Sequence, residues 1–175
     1  VTATIACCKL YKKSCFENIR YPLGKLHEDE YTTYKILFEK SLVSYLKEPL
    51  YFYYTNPDSI IRSEWSPKRL DAISAVEEQI AFFRENRFNN ALKKSENALL
   101  WNIISHIKAT EKSNKYSYLI PELKKRLKKY LKNFKADLGL SINNGYDFYI
   151  KAYPTTTKLY CIIIAILKKL KIIKW

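Results

Sequence analysis

The sequence predicts an α+β fold that is mainly helical, with a short α/β part over residues 1–64 and a basic helical bundle over residues 65–175. Only 3 glycines and 6 prolines occur among 175 residues, and so few turn-forming residues favour long helices over an all-β fold. Hydrophobic residues make up 47% of the chain and charged residues 27%, a balance that is typical of a globular protein with a buried core.

The α/β part is predicted from apolar runs on either side of one helix. Residues 2–11 mix β-branched residues with cysteine, a composition that is typical of a strand. A helix is expected from Glu28, because aromatic residues recur there with helical spacing. Residues 43–54 have the pattern of two strands that meet at a turn near Pro49. We expect the three strands to share one sheet with an exposed edge.

The basic part is predicted to consist of four helices. Ser66 is a candidate N-cap, and Pro67 fits the first helical position of a helix with an apolar stripe. That stripe consists of Ile73, Val76, Ile80 and Phe83. A second helix is expected over 88–108, a third after Pro121 and a final apolar one over 157–174.

The positive charge is concentrated in the C-terminal part of the chain. The net charge is +14, yet residues 1–107 carry 15 Lys and Arg against 13 Asp and Glu. Residues 108–175 carry 16 against 4. Such an asymmetry indicates contact with an anionic surface, either lipid headgroups or nucleic acid.

The cysteines and the N-terminus give expectations about location. Four cysteines occur without a C-x-x-C pair or a Cys/His ligand spacing, so a zinc site is not expected. The first apolar run is too short for a signal peptide, and its charges follow rather than precede it. We therefore expect reduced thiols and a cytoplasmic protein. Because the chain starts with Val and contains no Met, we expect a piece of a longer protein.

An acidic cluster, H-E-D-E at residues 27–30, precedes the first predicted helix. Carboxylates at a helix start are stabilised by the free N–H groups and the helix dipole, by about 0.3–1 kcal/mol each. Capping is therefore one interpretation. The other is a general base, a carboxylate that accepts the proton of a hydroxyl as the hydroxyl attacks an electrophile. The spacing alone does not decide between them.

A set of ordered motifs surrounds the cluster. They are K-L-Y-K at 9–12, F-E-N-I-R-Y-P-L-G at 16–24, E-D at 28–29, E-P-L-Y at 48–51, N-P-D-S-I at 56–60 and K-R-L-D-A at 68–72. In order and spacing, over about residues 5–90, they resemble the second half of the catalytic domain of bacterial family 2 glycosyltransferases. The resemblance implies a partial GT-A-like α/β part, followed here by a helical extension. It also implies inverting transfer of a sugar from a nucleotide-sugar donor to a glycan or lipid-linked acceptor in cell-surface polysaccharide synthesis.

The resemblance implies roles for individual residues. Asp29 would be the general base and Glu28 would position the acceptor, whereas His27 and Glu30 are expected to be exposed surface residues. The substrate-binding residues would be Lys9, Tyr54, Ser59 and Arg62. Tyr54 stands where the family often has an arginine that helps to neutralise the diphosphate, so that role would fall to Arg62 or Lys9 or the activity would be weakened.

The donor-binding features of the family are not found in this sequence. The family binds a divalent cation, Mg²⁺ or Mn²⁺, through a D-x-D motif, and no D-x-D occurs here. We therefore expect no metal ligands in this chain. The chain is expected to be the acceptor-side part of an enzyme, incomplete and inactive alone.

The alternative function is a non-enzymatic basic module that binds a membrane surface. Residues 159–167 are nine apolar residues, far fewer than the roughly 20 needed to span a bilayer. The basic and aromatic residues that follow suit an interfacial helix at the inner membrane face; they are Lys168, Lys169, Lys171, Lys174 and Trp175. The same helix could instead pack on the bundle. Nucleic acid is not favoured as a partner, because no nucleic-acid-binding motif is recognised.

Overall fold

A computed structural model describes residues 4–39, 42–54, 56, 59–60 and 62–133. Four α-helices lie within these residues: α1 (Glu28–Glu39), α2 (Asp71–Glu85), α3 (Asn89–Glu111) and α4 (Ile120–Asn133). Three short 3-10 turns precede α1, α2 and α4, respectively; they are Lys13–Phe16, Pro67–Leu70 and Asn114–Leu119.

The main core lies where α2, α3 and α4 pack together. Its buried aliphatic side chains are Ile73, Val76, Ile80, Leu99, Leu100, Ile103, Ile104, Ile107, Leu123 and Leu127. Their spacing of three and four residues places them on one face of each helix. Complete burial of one such side chain contributes about 1.5–3 kcal/mol, so this face holds the three helices together.

Helix α1 packs against α2 through aromatic side chains. The ring centroids of Tyr34 and Phe82 lie 5.1 Å apart, and those of Phe38 and Phe82 lie 5.0 Å apart. On the other side of α1, Ile36 joins a second cluster with Cys15 and Ile19. Helix α1 is therefore held between the N-terminal segment and the helical bundle.

The prediction of a mainly helical chain is confirmed for the described residues. Helix α1 begins at Glu28, Pro67 opens the turn that leads into α2, and α3 covers the helix expected over 88–108. Helix α4 begins at Ile120, one residue before Pro121. Ser66 has extended backbone angles before that turn, but its side chain makes no capping hydrogen bond. The helix expected over 157–174 lies outside the described residues.

The predicted strands are wrong for the residues that the structure describes. Residues 4–11 and 42–54 contain no strand, so neither the expected sheet nor a GT-A-like α/β part is shown. A strand requires a neighbour for its backbone hydrogen bonds. Segment 42–54 instead exposes its large apolar side chains, among them Phe52 at 87% and Leu42 at 82% exposure. Its β-type composition is present without a paired strand in the described part of the chain.

Candidate active site at the start of helix α1

A tight loop turns the chain into α1. Gly24 and His27 both have positive φ values, +74° and +60°, in the left-handed region that glycine tolerates and other residues adopt less often. The amide of Glu30 donates to the carbonyl oxygen of His27 at 3.0 Å and closes the first turn. The side chain of His27 is exposed, as predicted.

Asp71, the first residue of α2, anchors this loop. Its carboxylate accepts hydrogen bonds from the Lys25 ammonium at 2.9 Å and from the Leu26 amide at 3.1 Å. Its carbonyl oxygen accepts the hydroxyl of Tyr31 at 3.0 Å. Burial would raise the pKa of Asp71, but the bonds from Lys25 and Leu26 together outweigh burial and lower it. The K-R-L-D-A motif thus contributes the carboxylate that fixes the entry to α1.

Asp29, the predicted general base, is half-buried in the first turn of α1. Its Oδ2 accepts the backbone N–H of Ala6 at 3.1 Å, and its Oδ1 accepts the N–H of Glu30 at 2.9 Å. A carboxylate offers about four lone-pair sites. The two amide bonds therefore fix the orientation of the carboxylate and leave acceptor capacity for the proton of a substrate hydroxyl.

Glu30 is not the exposed acid that the sequence suggested. It is half-buried, and its Oε1 accepts the hydroxyl of Thr4 at 3.0 Å. The side-chain amide of Gln79 donates to Oε2 of Glu30 at 2.8 Å and to the carbonyl oxygen of Glu30 at 2.7 Å. Gln79 itself is buried. Glu30 is therefore the residue that joins the N-terminal segment, α1 and α2.

Glu28 and Lys9 lie near Asp29 in different ways. Glu28 is exposed at the first position of α1, on the same turn as Asp29. The Lys9 ammonium donates to the carbonyl oxygen of Ile5, next to the Ala6 amide that binds Asp29. Lys9 and Asp29 thus both hydrogen-bond to the backbone of residues 5–6.

The other predicted substrate-binding residues lie farther along the chain. Tyr54 is 74% exposed in segment 42–54. Ser59 is in a turn, where its carbonyl oxygen accepts the amide of Arg62 at 2.9 Å. Arg69 donates to the carbonyl oxygens of Ile60 and of Ser63, which ties this turn to the start of α2. Lys168, Lys169, Lys171, Lys174 and Trp175 lie outside the described residues.

Sequence reasoning missed two polar residues in the bundle, of which Gln79 is buried and His106 is half-buried. Gln79 interrupts the apolar stripe of α2 between Val76 and Ile80. A polar residue at a core position of a helix could have indicated a buried hydrogen bond. His106 lies on α3, where its Nδ1 accepts the indole N–H of Trp65 at 3.1 Å. Burial lowers the pKa of His106 to about 4, with smaller contributions from the positive charges of His27 and Arg69.

The described residues hold no group of three or more His, Cys, Asp or Glu side chains that could bind a metal ion. The divalent cation implied by the family resemblance therefore has no matching ligand set in this part of the chain. Among the helices that the structure describes, none is long and apolar enough to cross a membrane.

Comparison with known proteins finds a distant similarity to a glycosyltransferase. No protein-family model matches the chain, and no solved structure matches it. The chain is 30% identical over 161 residues to Glycosyltransferase GlyA of Streptococcus pneumoniae serotype 4 (strain ATCC BAA-334 / TIGR4). The match covers 87% of this chain and 22% of that protein, so the chain spans less than a quarter of the length of the relative. The similarity supports the prediction of a glycosyltransferase.

Proposed function

We propose that this chain is the acceptor-side part of an inverting glycosyltransferase of the family 2, GT-A type. It would transfer a sugar from a nucleotide-sugar donor to a glycan or lipid-linked acceptor in cell-surface polysaccharide synthesis, at the cytoplasmic face of the membrane. The observation that carries the proposal is the Asp29 carboxylate, oriented by two backbone amides within the E-D motif. The similarity to a named glycosyltransferase over most of the chain supports it.

In the proposed reaction, Asp29 takes the proton from a hydroxyl group of the acceptor. The hydroxyl oxygen then forms a bond to C1 of the donor sugar, on the face opposite the leaving group. The bond between C1 and the diphosphate oxygen breaks, and the nucleoside diphosphate leaves with the electron pair. A positioned general base of this kind contributes about 10²–10⁴-fold to the rate.

The other predicted site residues are suited to supporting roles. Glu28 is exposed on the same turn and is suited to hydrogen-bond a second hydroxyl of the acceptor, because a carboxylate accepts but does not donate. Lys9 carries a positive charge to the segment that contacts Asp29, and Arg62 carries one to the turn at Ser59. We assign these two cations to the diphosphate, with Tyr54 and Ser59 as further substrate contacts.

The donor and a divalent cation would be bound by a part of the enzyme that this chain does not supply. Segment 42–54 supports the proposal that more protein packs here, because it exposes nine large apolar side chains. They are Leu42, Val43, Tyr45, Leu46, Leu50, Tyr51, Phe52, Tyr53 and Tyr54. A large exposed apolar surface usually marks a contact surface.

The proposal is tested by measuring nucleoside diphosphate release from a panel of nucleotide sugars, with Mg²⁺ or Mn²⁺ and glycan acceptors. We expect the 175-residue chain alone to release none above background and the intact enzyme to release it only when an acceptor is present. Sugar transfer by the purified chain would overturn the acceptor-side assignment. If the intact enzyme transferred no sugar from any donor, the proposed glycosyltransferase activity would be wrong.

A further inference from the structure

Helix α4 has one apolar face and one strongly basic face. Six of its fourteen residues are Lys or Arg, against a single Glu. Leu123 and Leu127 are buried in the core between α2, α3 and α4. These two leucines hold one face of α4 against the bundle.

Two of the α4 cations belong to the fold. Arg126 donates to the carboxylate of Glu77 on α2 at 2.6 Å, and the hydroxyl of Tyr130 donates to the same carboxylate. Lys124 lies 3.6 Å from Glu111 on α3. These contacts account for the cations at the edge of the packed face.

Among the α4 side chains that the structure describes, three further lysines lie at spacings of three and four residues: Lys125, Lys128 and Lys129, named here the α4 lysine face. All three are exposed. Within the described residues no carboxylate lies within ion-pair distance of Lys125 or Lys128. Like charges at these spacings destabilise a helix. The Lys129 ammonium lies 5.8 Å from the centre of the Tyr130 ring. A bound anionic partner would offset the repulsion among the three charges.

We propose that the α4 lysine face docks the protein on a bilayer rich in anionic lipid, by electrostatic attraction and without insertion of α4. Charge complementarity selects an anionic surface. Lysine is a compact point charge that suits a fluid layer of headgroups, whereas arginine is the residue that recognises nucleic-acid phosphates in a fixed geometry. The one arginine of α4, Arg126, is committed to Glu77. The proposal does not depend on the glycosyltransferase activity.

The expected size of the effect follows from the charge. Each lysine near an anionic membrane surface strengthens binding about fivefold, so three contribute about 100-fold. Because the proposed docking is electrostatic and involves no insertion of α4, this contribution should vanish when the salt concentration exceeds about 0.5 M.

The experiment is co-sedimentation of the full 175-residue chain with vesicles of equimolar phosphatidylglycerol and phosphatidylcholine, and with pure phosphatidylcholine vesicles. The test variant reverses the three charges of the α4 lysine face: K125E, K128E and K129E. The matched control reverses three exposed lysines elsewhere and so has the same net charge: K12E, K13E and K68E. A milder triple variant to Gln replaces the test variant if its helical circular dichroism signal is reduced.

We expect binding to the anionic vesicles in low salt, a loss of at least about 100-fold in the test variant, about 100-fold in the Gln variant, and less than fivefold in the control. Equal losses in both variants would show that only net charge matters and would overturn the proposal. Unchanged binding of the test variant would also overturn it, as would lysine-dependent binding that survives high salt. If the lysine-dependent binding to a DNA or RNA oligonucleotide were tighter than to the vesicles, the proposal of a lipid partner would be overturned in favour of nucleic acid.

Discussion

Glu30 and Glu28 provide a direct comparison, because both are acids in the first turn of α1 but only Glu30 is held in a hydrogen-bond network. Replacement of Glu28 by Ala removes the interaction of one exposed acid with the helix dipole, which costs about 0.3–1 kcal/mol. Replacement of Glu30 by Ala costs the same amount and also removes the bonds from Thr4 and Gln79. Hydrogen bonds to a charged group contribute about 1.5–3 kcal/mol each, and the half-exposed position of Glu30 favours the lower value.

We therefore expect Glu30→Ala to lower the free energy of unfolding by about 3–4 kcal/mol and Glu28→Ala by less than about 1 kcal/mol. The measurement is urea unfolding followed by circular dichroism, with extrapolation to water. Glu30→Gln should lie between them, because an amide keeps the shape but loses the charge. If the two alanine variants differed by less than about 0.5 kcal/mol, Glu30 would be only a helix-start acid and the network would carry no stability.

Two further predictions concern buried polar groups. The pKa of His106 is about 4 in the folded chain and about 6.5 in the unfolded chain. Between these pH values the imidazole is protonated only in the unfolded chain, so the free energy of unfolding should fall as the pH drops from about 6.5 to about 4. His106→Gln should remove this component of the pH dependence and His27→Gln, at the exposed histidine, should not; equal unfolding curves against pH for both variants would contradict it. Tyr34 raises a different case, since its buried hydroxyl has no partner in the described residues. Tyr34→Phe should keep or raise the melting temperature, whereas Tyr31→Phe removes the bond to the α2 carbonyl and should cost about 0.5–1.5 kcal/mol; the reverse order would be inconsistent with the structure.

Local sequence signals were sufficient for the helices. The start of α1 at Glu28 follows from the acids and the aromatic spacing, and the stripe of Ile73, Val76 and Ile80 gives the buried face of α2. These signals act within one or two helical turns. The described helices could therefore be predicted without knowledge of their packing partners.

The strands and the role of Glu30 depend on more distant parts of the chain. Segment 42–54 has the composition of strands, but a strand forms only where another backbone pairs with it, and no described segment does so. The burial of Glu30 depends on Gln79, 49 positions away. The network could have been found only by pairing Gln79, the polar residue in the α2 stripe, with an acid on another helix.

The central proposal, that Asp29 is the general base of a sugar transfer, is tested most directly by the turnover of Asp29→Asn in the intact enzyme. Asparagine has the same shape, and its side-chain oxygen can still accept a hydrogen bond from the N–H of Ala6 or of Glu30, but it cannot take a proton from the acceptor. We expect turnover to fall by about 10²–10⁴-fold while donor binding and the fold are unchanged, and Glu28→Gln to cause a smaller loss. Near-normal turnover of Asp29→Asn would contradict the assignment and leave the acidic cluster as a helix cap.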